Sequence, residues 1–190
     1  MLNSNYKSRE FAKSDFFVAF FKFLLSFVHK IYYQLLEKRK KQLTTSVVLQ
    51  KLQSYCAYQE RCLQEVTAKC YDLGVEDTDL QEKIIDALIE NNFLNESRFA
   101  IAFAGGKFRV KQWGKIRIFQ ELKSRHIAEK DILHALDEIH AEAYQKTFEH
   151  LFEIKQKDYE DTPQGKAQLA NFLLRKGYEP ALIWERIRLD

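Results

Sequence analysis

The sequence predicts an all-α fold in which three tandem three-helix repeats, similar to helix-turn-helix units, form a short curved array. Three segments repeat one pattern at a spacing of 51 to 52 residues, with a helix-ending position at Gly74, His126 and Gly177. A glycine just past a helix lets the chain reverse without a Cβ penalty. The 190 residues also contain only six glycines and two prolines, so few positions interrupt a helix.

Apolar residues complete the pattern around each turn. One precedes the turn by four residues, and two others follow it by six and ten residues. Apolar residues four apart mark the inner face of a second helix. Repeats of this length usually stack and bury each other's apolar faces, which produces an extended surface suited to binding. The residues in these positions are Cys70, Leu122 and Leu173, then Leu80, Ile132 and Ile183, then Ile84, Leu136 and Ile187.

The first predicted repeat comprises residues 47–94. Ser46 is a suitable N-cap for its first helix. A second helix begins near Cys62 and ends at Gly74. Thr78 opens a sequence of capping-box form, TDLQ, which predicts the start of the third helix.

The second predicted repeat comprises residues 95–140. Asn95 is expected to cap its first helix, which should loosen after the two glycines at residues 105–106. Gly114 precedes the next helix. The inner face of the third helix contains Ile132, Leu136 and Ile139.

The third predicted repeat comprises residues 141–190. The polar stretch from Asp158 to Pro163 predicts a loop. Two short helices follow it, and Pro180 occupies the favoured first position of the last one. The long helix before the loop presents Tyr144, Phe148, Leu151 and Phe152 on one face.

Residues 1–46 are an apolar and basic N-terminal extension. Their most apolar run, residues 16–28, is interrupted by Lys22 and is shorter than the roughly 20 residues that span a bilayer. Three interpretations stay open: a disordered or artefactual extension, a helix that docks on the body or on a partner, and a membrane-surface anchor. We expect no stable membrane association and a monomeric protein.

The cysteines and histidines show no metal-ligand spacing, so we expect no metal and no cofactor. Cys56, Cys62 and Cys70 are an odd set without a CxxC motif, and they are expected to be buried, reduced thiols of a cytoplasmic protein. The chain also lacks a phosphate-binding GxxxxGK motif and a nucleophile elbow. The sequence therefore predicts that the protein is not an enzyme.

Positive charge is concentrated in residues 107–125, which contain seven Lys/Arg and one Asp/Glu. We call this stretch the basic island. Phe108 and Trp113 interleave with its charges, a combination that serves base stacking as well as phosphate contact, although both aromatic residues also suit core packing. The island predicts binding to nucleic acid, with an acidic protein groove as the alternative. Its cations are Lys107, Arg109, Lys111, Lys115, Arg117, Lys123 and Arg125.

A three-helix unit with a sharp turn is also similar to a helix-turn-helix DNA reader. The island offers no Asn and only one Gln near a helix start for contacts to base edges. Binding to the DNA backbone or to a protein surface is therefore favoured over sequence-specific recognition. A stand-alone DNA-binding regulator stays open as an alternative function.

Residues 84–127 contain the block NFLNESRFA at residues 92–100, and Gly114 and Leu122 follow it. This segment resembles the RecX family of recombination regulators. The family pattern there runs as an apolar-Leu-Asp/Asn-Asp/Glu-x-Arg-Phe-Ala block, a basic stretch, a Gly, and a helix that ends in a Gly-Ile turn. The segments around Glu65 and around residues 175–178 match the first and third units. The resemblance covers about residues 47–190 and leaves the extension outside.

The resemblance implies a partner and a role. A RecX-like protein would lie along the groove of the RecA filament on single- or double-stranded DNA, without sequence specificity. It would limit the ATP hydrolysis, strand exchange and coprotease activity of RecA, and so act in DNA repair, recombination and the SOS response. The family-signature residues, expected to be mostly structural, are Arg98, Phe99, Ala100, Gly114 and Leu122.

Two residues depart from the family pattern, and one signature residue needs a partner. His126 stands where the family usually has Gly, which predicts a strained left-handed turn. Cys62 stands where a capping Ser is common, which predicts a weaker helix cap. We expect Arg98 to pair with an acid such as Glu96 or Glu90.

Overall fold

The structure is a computed structural model that describes the backbone of residues 7–189 and the side chains of residues 24–36 and 45–188. All regular structure in these ranges is helical, which confirms the predicted fold class. The helices are α1 (Lys7–Tyr58), α2 (Leu63–Asp72), α3 (Thr78–Glu90), α4 (Glu96–Lys111), α5 (Lys115–Lys123), α6 (Glu129–Asp137), α7 (Ala141–Gln156), α8 (Pro163–Lys176) and α9 (Pro180–Leu189).

The chain divides into two compact units, Met1–Gln50 and Lys51–Asp190. In the first unit the backbone is helical from Lys7. The predicted helix start at Ser46 is wrong, because α1 continues through that residue. The preceding residues, LEKRKKQL, are mostly strong helix formers, so the helix needs no new cap there. Side chains of the apolar run at residues 16–28 are described only from residue 24 onward.

The second unit contains the tandem three-helix repeats. The first uses the end of α1 with α2 and α3, the second uses α4 to α6, and the third uses α7 to α9. Buried side chains of the second and third repeats form one continuous apolar core, which also includes Cys62. Of the nine repeating apolar positions, all are buried except Leu80, which is half-buried. The largest fully buried side chains in repeats two and three include Phe148, Phe152, Leu122, Leu173 and Tyr178.

The three repeat turns share one conformation. Gly74, His126 and Gly177 have φ angles of 79°, 61° and 92°, so all three are left-handed, as the sequence predicts. The next residue in each repeat donates its N–H to the carbonyl of the apolar residue four positions before the turn, which satisfies a helix-end carbonyl. These bonds are Val75 to Cys70 at 3.0 Å, Ile127 to Leu122 at 3.3 Å and Tyr178 to Leu173 at 3.2 Å.

Replacing His126 with glycine is expected to stabilise the protein by up to about 1 kcal/mol, because the left-handed backbone strains a residue with a Cβ. Thermal unfolding followed by circular dichroism measures the effect. The His126 side chain is exposed, so little packing is lost. A clear drop in the unfolding midpoint would mean that the imidazole makes a contact that outweighs this strain.

Of the helix caps other than Ser46, two of three agree with the sequence. Asn95 caps α4 by accepting a hydrogen bond from the N–H of Arg98. Cys62 precedes α2 and forms no side-chain cap, as expected from its departure from Ser. The prediction for α3 is displaced by one residue, because Asp77 rather than Thr78 is the N-cap and accepts from the N–H of Leu80. An Asp carboxylate also complements the positive end of the helix dipole better than a hydroxyl does.

The expected loosening of α4 at residues 105–106 is wrong. The helix continues without interruption to Lys111. Ala104 and Phe108 are buried on either side of the glycine pair, and α4 packs along α6. This tertiary packing outweighs the roughly 1 kcal/mol by which glycine disfavours a helix interior.

The three cysteines are buried and unpaired, as predicted. Burial raises the pKa of each thiol above its ordinary value, so the thiols stay protonated near neutral pH. No helix in the described part of the chain is both long enough and apolar enough to cross a bilayer.

Candidate nucleic-acid interface

The second and third repeats meet where the start of α5 faces the end of α8. Gly114 N–H donates to the carbonyl of Lys176 at 2.9 Å, and Ile116 N–H donates to the carbonyl of Gly177 at 3.1 Å. Helix termini leave such groups without intrahelical partners. The positive end of one helix thus meets the negative end of the other. We call this contact the repeat junction.

Two glycines make the close approach at the repeat junction possible. A Cβ on Gly114 would lie 2.1 Å from the carbonyl oxygen of Gly177, and a Cβ on Gly177 would lie 2.3 Å from the Cβ of Arg117. Both distances are far shorter than carbon atoms tolerate. Gly177 also needs its left-handed φ to end α8. The backbone geometry therefore requires glycine at both positions.

A tyrosine hydroxyl completes the repeat junction. Tyr144 Oη accepts a hydrogen bond from the N–H of Lys115 at 3.1 Å and donates one to Glu179 Oε2 at 2.7 Å. Its ring packs against Phe108 and Tyr178, with ring centres 5.9 and 5.4 Å away. Burial raises the pKa of Tyr144 well above its ordinary value, and it raises that of Tyr178 to about 12. Tyr144 therefore stays neutral and can act as both donor and acceptor.

Cations from two repeats gather on one side of the repeat junction. Arg117 Nη1 donates to the carbonyl of Arg175 at 3.0 Å, and Lys176 Nζ donates to the carbonyl of Lys111 at 3.0 Å. These bonds tie the end of α4 and the start of α5 to the end of α8. We define the junction cluster as Lys107, Lys111, Trp113, Arg117 and Lys176.

Two cations of the junction cluster lie against the ring of Trp113. Lys107 Nζ and Arg117 Cζ lie 5.0 and 4.0 Å from its ring centre, within the range of cation–π interactions. The indole is half-buried and packs against the apolar core. Trp113 therefore holds two cations in place, and its ring is not a free platform for a base.

The electrostatics of the junction cluster favour an anion. The pKa of Lys176 is lowered first by burial and then by the positive charges of Arg117, Lys155 and Lys111. A phosphate placed among these groups would relieve the repulsion between them. Among the described side chains, none of the four cations of the cluster lies in an ion pair with a carboxylate.

The remaining cations of the basic island take other positions. Arg125 pairs with Glu121 at 3.1 Å and lies over the ring of Phe103. Arg109 folds back toward Gly105, and Lys123 is exposed beside Phe119. Lys115 Nζ lies 5.3 Å from the ring of Tyr144. The structure thus unites Lys107, Lys111 and Arg117 and places the other four predicted residues around them or away from them.

Lys176 is the cluster member that the sequence analysis did not include. It stands one residue before the third turn glycine, in a segment that was matched to the family but not to the site. Lys155 Nζ and Lys176 Nζ lie 5.6 and 5.8 Å from the ring of Phe172, and Lys155 also pairs with Asp158. The sequence signal that could have identified Lys176 is a basic residue directly before a turn glycine.

Arg98 pairs with an acid, as predicted, but the partner is Glu60 and neither of the two candidates named from the sequence. Its Nε lies 2.9 Å from Glu60 Oε1, and its guanidinium also donates to the side chain and the carbonyl of Asn92. Neither Glu96 nor Glu90 takes that place, because Arg98 reaches across to the residues before α2. Asn92 has a φ of 59°, and the arginine holds its left-handed backbone. Arg98 therefore links the first repeat to the second, while Phe99, Ala100 and Leu122 are buried in the core.

Within the residues that the structure describes, no three His, Cys, Asp or Glu side chains are arranged to hold a metal ion.

Comparison with known proteins matches this chain to one family. A family model described as RecX, second three-helix domain, matches residues 95–136. The regulatory protein RecX of Bacillus mycoides (strain KBAB4) is 29% identical over 132 residues, which are 68% of this chain and 48% of that protein. The chain thus spans about half the length of this relative and of a second RecX protein, from Bacillus cytotoxicus.

Two solved structures show the same fold. A crystal structure of regulatory protein RecX has a TM-score of 0.68 and 19% identity, and covers 77% of this chain and 72% of the other. The structure of RecX from Lactobacillus salivarius has a TM-score of 0.66 and 20% identity, and covers 77% of this chain and 98% of the other. The Arg-Phe-Ala block, the three-helix repeats and these matches together support the RecX family of regulatory proteins for this chain.

Proposed function

We propose that this protein is a non-enzymatic regulator that binds the RecA filament on DNA and inhibits its recombinase, ATPase and coprotease activities. The relatives it matches are regulatory proteins, and the family resemblance supports RecA as the partner. This role places the protein in the cytoplasm, in DNA repair, DNA recombination and the SOS response.

The junction cluster is the observation that supports DNA binding. Its four cations come from the second and third repeats: Lys107 and Arg117 lie against the ring of Trp113, and Lys176 binds the carbonyl of Lys111. Fixed cations attract phosphates of any sequence, and their binding releases counterions. Contact with the DNA backbone supplies affinity and position without reading bases. We therefore expect binding to single- and double-stranded DNA without sequence preference.

The tandem repeats support binding to a filament. A filament presents the same surface at regular intervals, and three linked repeats can contact it several times. The boundaries proposed for these repeats are residues 47–94, 95–140 and 141–190. Once one repeat is bound, contacts by the others become intramolecular and the combined affinity rises steeply. A monomer with three repeats can therefore bind more tightly than any repeat alone.

Titration of the ATPase activity of preformed RecA filaments tests the proposal. The intact protein is expected to slow ATP turnover at concentrations well below that of RecA, because a few bound molecules block growth of a long filament. The assay uses single-stranded DNA and coupled detection of ADP.

Two results would contradict this proposal. Unchanged turnover at equimolar protein would exclude inhibition of the filament. Sequence-selective binding to duplex DNA in a footprinting experiment, combined with unchanged turnover, would support the stand-alone DNA-binding regulator.

A further inference from the structure

The helix α1 exposes a continuous apolar surface within the first unit. Between residues 24 and 36, nine large apolar or aromatic side chains are from 40% to 59% exposed. Isolated exposed apolar residues are common on proteins, but a contiguous set of this size marks an interaction surface. The nine are Leu24, Leu25, Phe27, Val28, Ile31, Tyr32, Tyr33, Leu35 and Leu36.

These side chains are not spread evenly around the helix. At about 100° per residue, all but Tyr33 fall on one half of the circumference. The opposite half contains Ser26, His29, Lys30 and Gln34, and all of these are exposed. This stretch is therefore amphipathic, with an apolar half much wider than the narrow stripe of a two-helix coiled coil. We call the wide face the apolar half of α1.

Positive charge flanks the apolar half of α1. Residues 1–46 contain nine Lys/Arg against three Asp/Glu, and four of the basic residues are consecutive at 38–41. A second copy of this chain would bring two such basic segments together and repel them. A surface of anionic lipid offers the opposite charge and an apolar interior beneath it. Tyr32 and Tyr33 have the amphipathic rings that suit the boundary between headgroups and acyl chains.

We propose that residues 24–36 of α1 bind reversibly to the surface of a bilayer that contains anionic lipid. The apolar half would enter the boundary between headgroups and acyl chains, and the net positive charge of residues 1–46 would attract the chain to the anionic surface. Such a helix lies in the plane of the membrane surface and does not cross the bilayer. The apolar run at residues 16–28 is too short to span a bilayer, so we expect no stable insertion. Reversible binding at the surface agrees with the expectation that the protein has no stable membrane association.

Flotation of the full-length protein with vesicles tests this proposal. Binding is expected to vesicles of phosphatidylcholine with added phosphatidylglycerol, and weak or absent binding to phosphatidylcholine alone. The variant Val28→Glu with Leu35→Glu changes two exposed residues near the centre of the apolar half, so the fold is preserved. It is expected to lose vesicle affinity by about tenfold or more, because two charges cannot enter the acyl boundary.

The matched control is Ser26→Glu with Gln34→Glu, which adds the same charge on the opposite half of the helix. It is expected to lose affinity by less than about threefold, through weaker attraction to anionic lipid alone. Equal losses in the two variants, or failure of the unmodified protein to float, would overturn the proposal. Sedimentation equilibrium offers a further contradiction. If the unmodified protein and the control variant form a concentration-dependent dimer and the variant with Val28→Glu and Leu35→Glu stays monomeric, a second copy of the chain covers this face and the proposal is overturned.

Discussion

Replacing Gly114 with alanine is expected to destabilise the protein by about 3 kcal/mol, at the upper end of the range for overpacked sites. The new methyl group would lie 2.1 Å from the carbonyl oxygen of Gly177, so α5 and α8 must separate. Separation breaks the hydrogen bonds from Gly114 to Lys176 and from Ile116 to Gly177. Urea unfolding followed by circular dichroism measures the loss. We also expect weaker DNA binding, because the junction cluster depends on the same contact.

Two other glycines provide matched controls for this substitution. Gly106 lies inside α4, and a Cβ there would meet nothing within 4 Å. Gly106→Ala is therefore expected to stabilise the protein by up to about 1 kcal/mol, through better helix propensity. Gly74 is also open to solvent but has a φ of 79°. Gly74→Ala should cost roughly 1 kcal/mol from backbone strain alone.

The three alanine substitutions separate two costs: the steric clash at a close approach, and the strain of a left-handed backbone. Gly114 has a φ of −73°, which any residue adopts. Its replacement by alanine therefore costs stability only through the steric clash and not through backbone strain. A loss at Gly114 no greater than that at Gly74 would show that the repeats separate at little cost. The repeat junction would then be a weak contact.

The sequence predicted the fold because its strongest signals are local and repeat. A left-handed turn followed by an apolar residue leaves a fixed pattern in the chain, and the three copies reinforce one another. His126 fits that pattern although it is not glycine, since its apolar neighbours keep the spacing. Apart from the one-residue displacement at the start of α3, the errors lie at Ser46 and at residues 105–106, where helix propensity upstream and packing between α4 and α6 decide the outcome. Neither effect is visible in the local pattern alone.

The candidate site was predicted less well, because charge along a sequence does not show which way side chains point. Residues 107–125 span the end of one helix, a loop and another helix, so their cations diverge. Arg125 pairs with Glu121, whereas Arg117 turns toward the third repeat. Lys176 joins Lys111 across 65 residues of sequence, through a contact that depends on Gly114 and Gly177. The only sequence signals for that approach are the two glycines themselves and the basic residue directly before Gly177.

Reversing the charge of Lys111, Arg117 and Lys176 to glutamate is expected to have the largest effect on function. Affinity for single-stranded DNA falls as salt rises, and the slope of log affinity against log salt concentration measures the number of phosphates contacted. If each of the three residues neutralises one phosphate, this slope should be about 2 less steep in the variant than in the unmodified protein. Repulsion from the new carboxylates should weaken binding further at low salt. Inhibition of RecA ATP turnover should fall by about tenfold or more, if DNA contact contributes to filament binding. Fluorescence anisotropy and the coupled ATPase assay measure the two effects.

A second triple variant separates local contact from total charge. Lys83, Lys130 and Lys146 are exposed and lie outside the junction cluster, and their reversal to glutamate changes the net charge by the same amount. This variant should keep nearly the same salt slope, because a phosphate contact depends on position and not on net charge. Urea unfolding of both variants shows whether the first one remains folded, since Arg117 and Lys176 also bind the carbonyls of Arg175 and Lys111. If both triple variants lose affinity equally while remaining folded, DNA is attracted by the overall field, and the junction cluster is not the site.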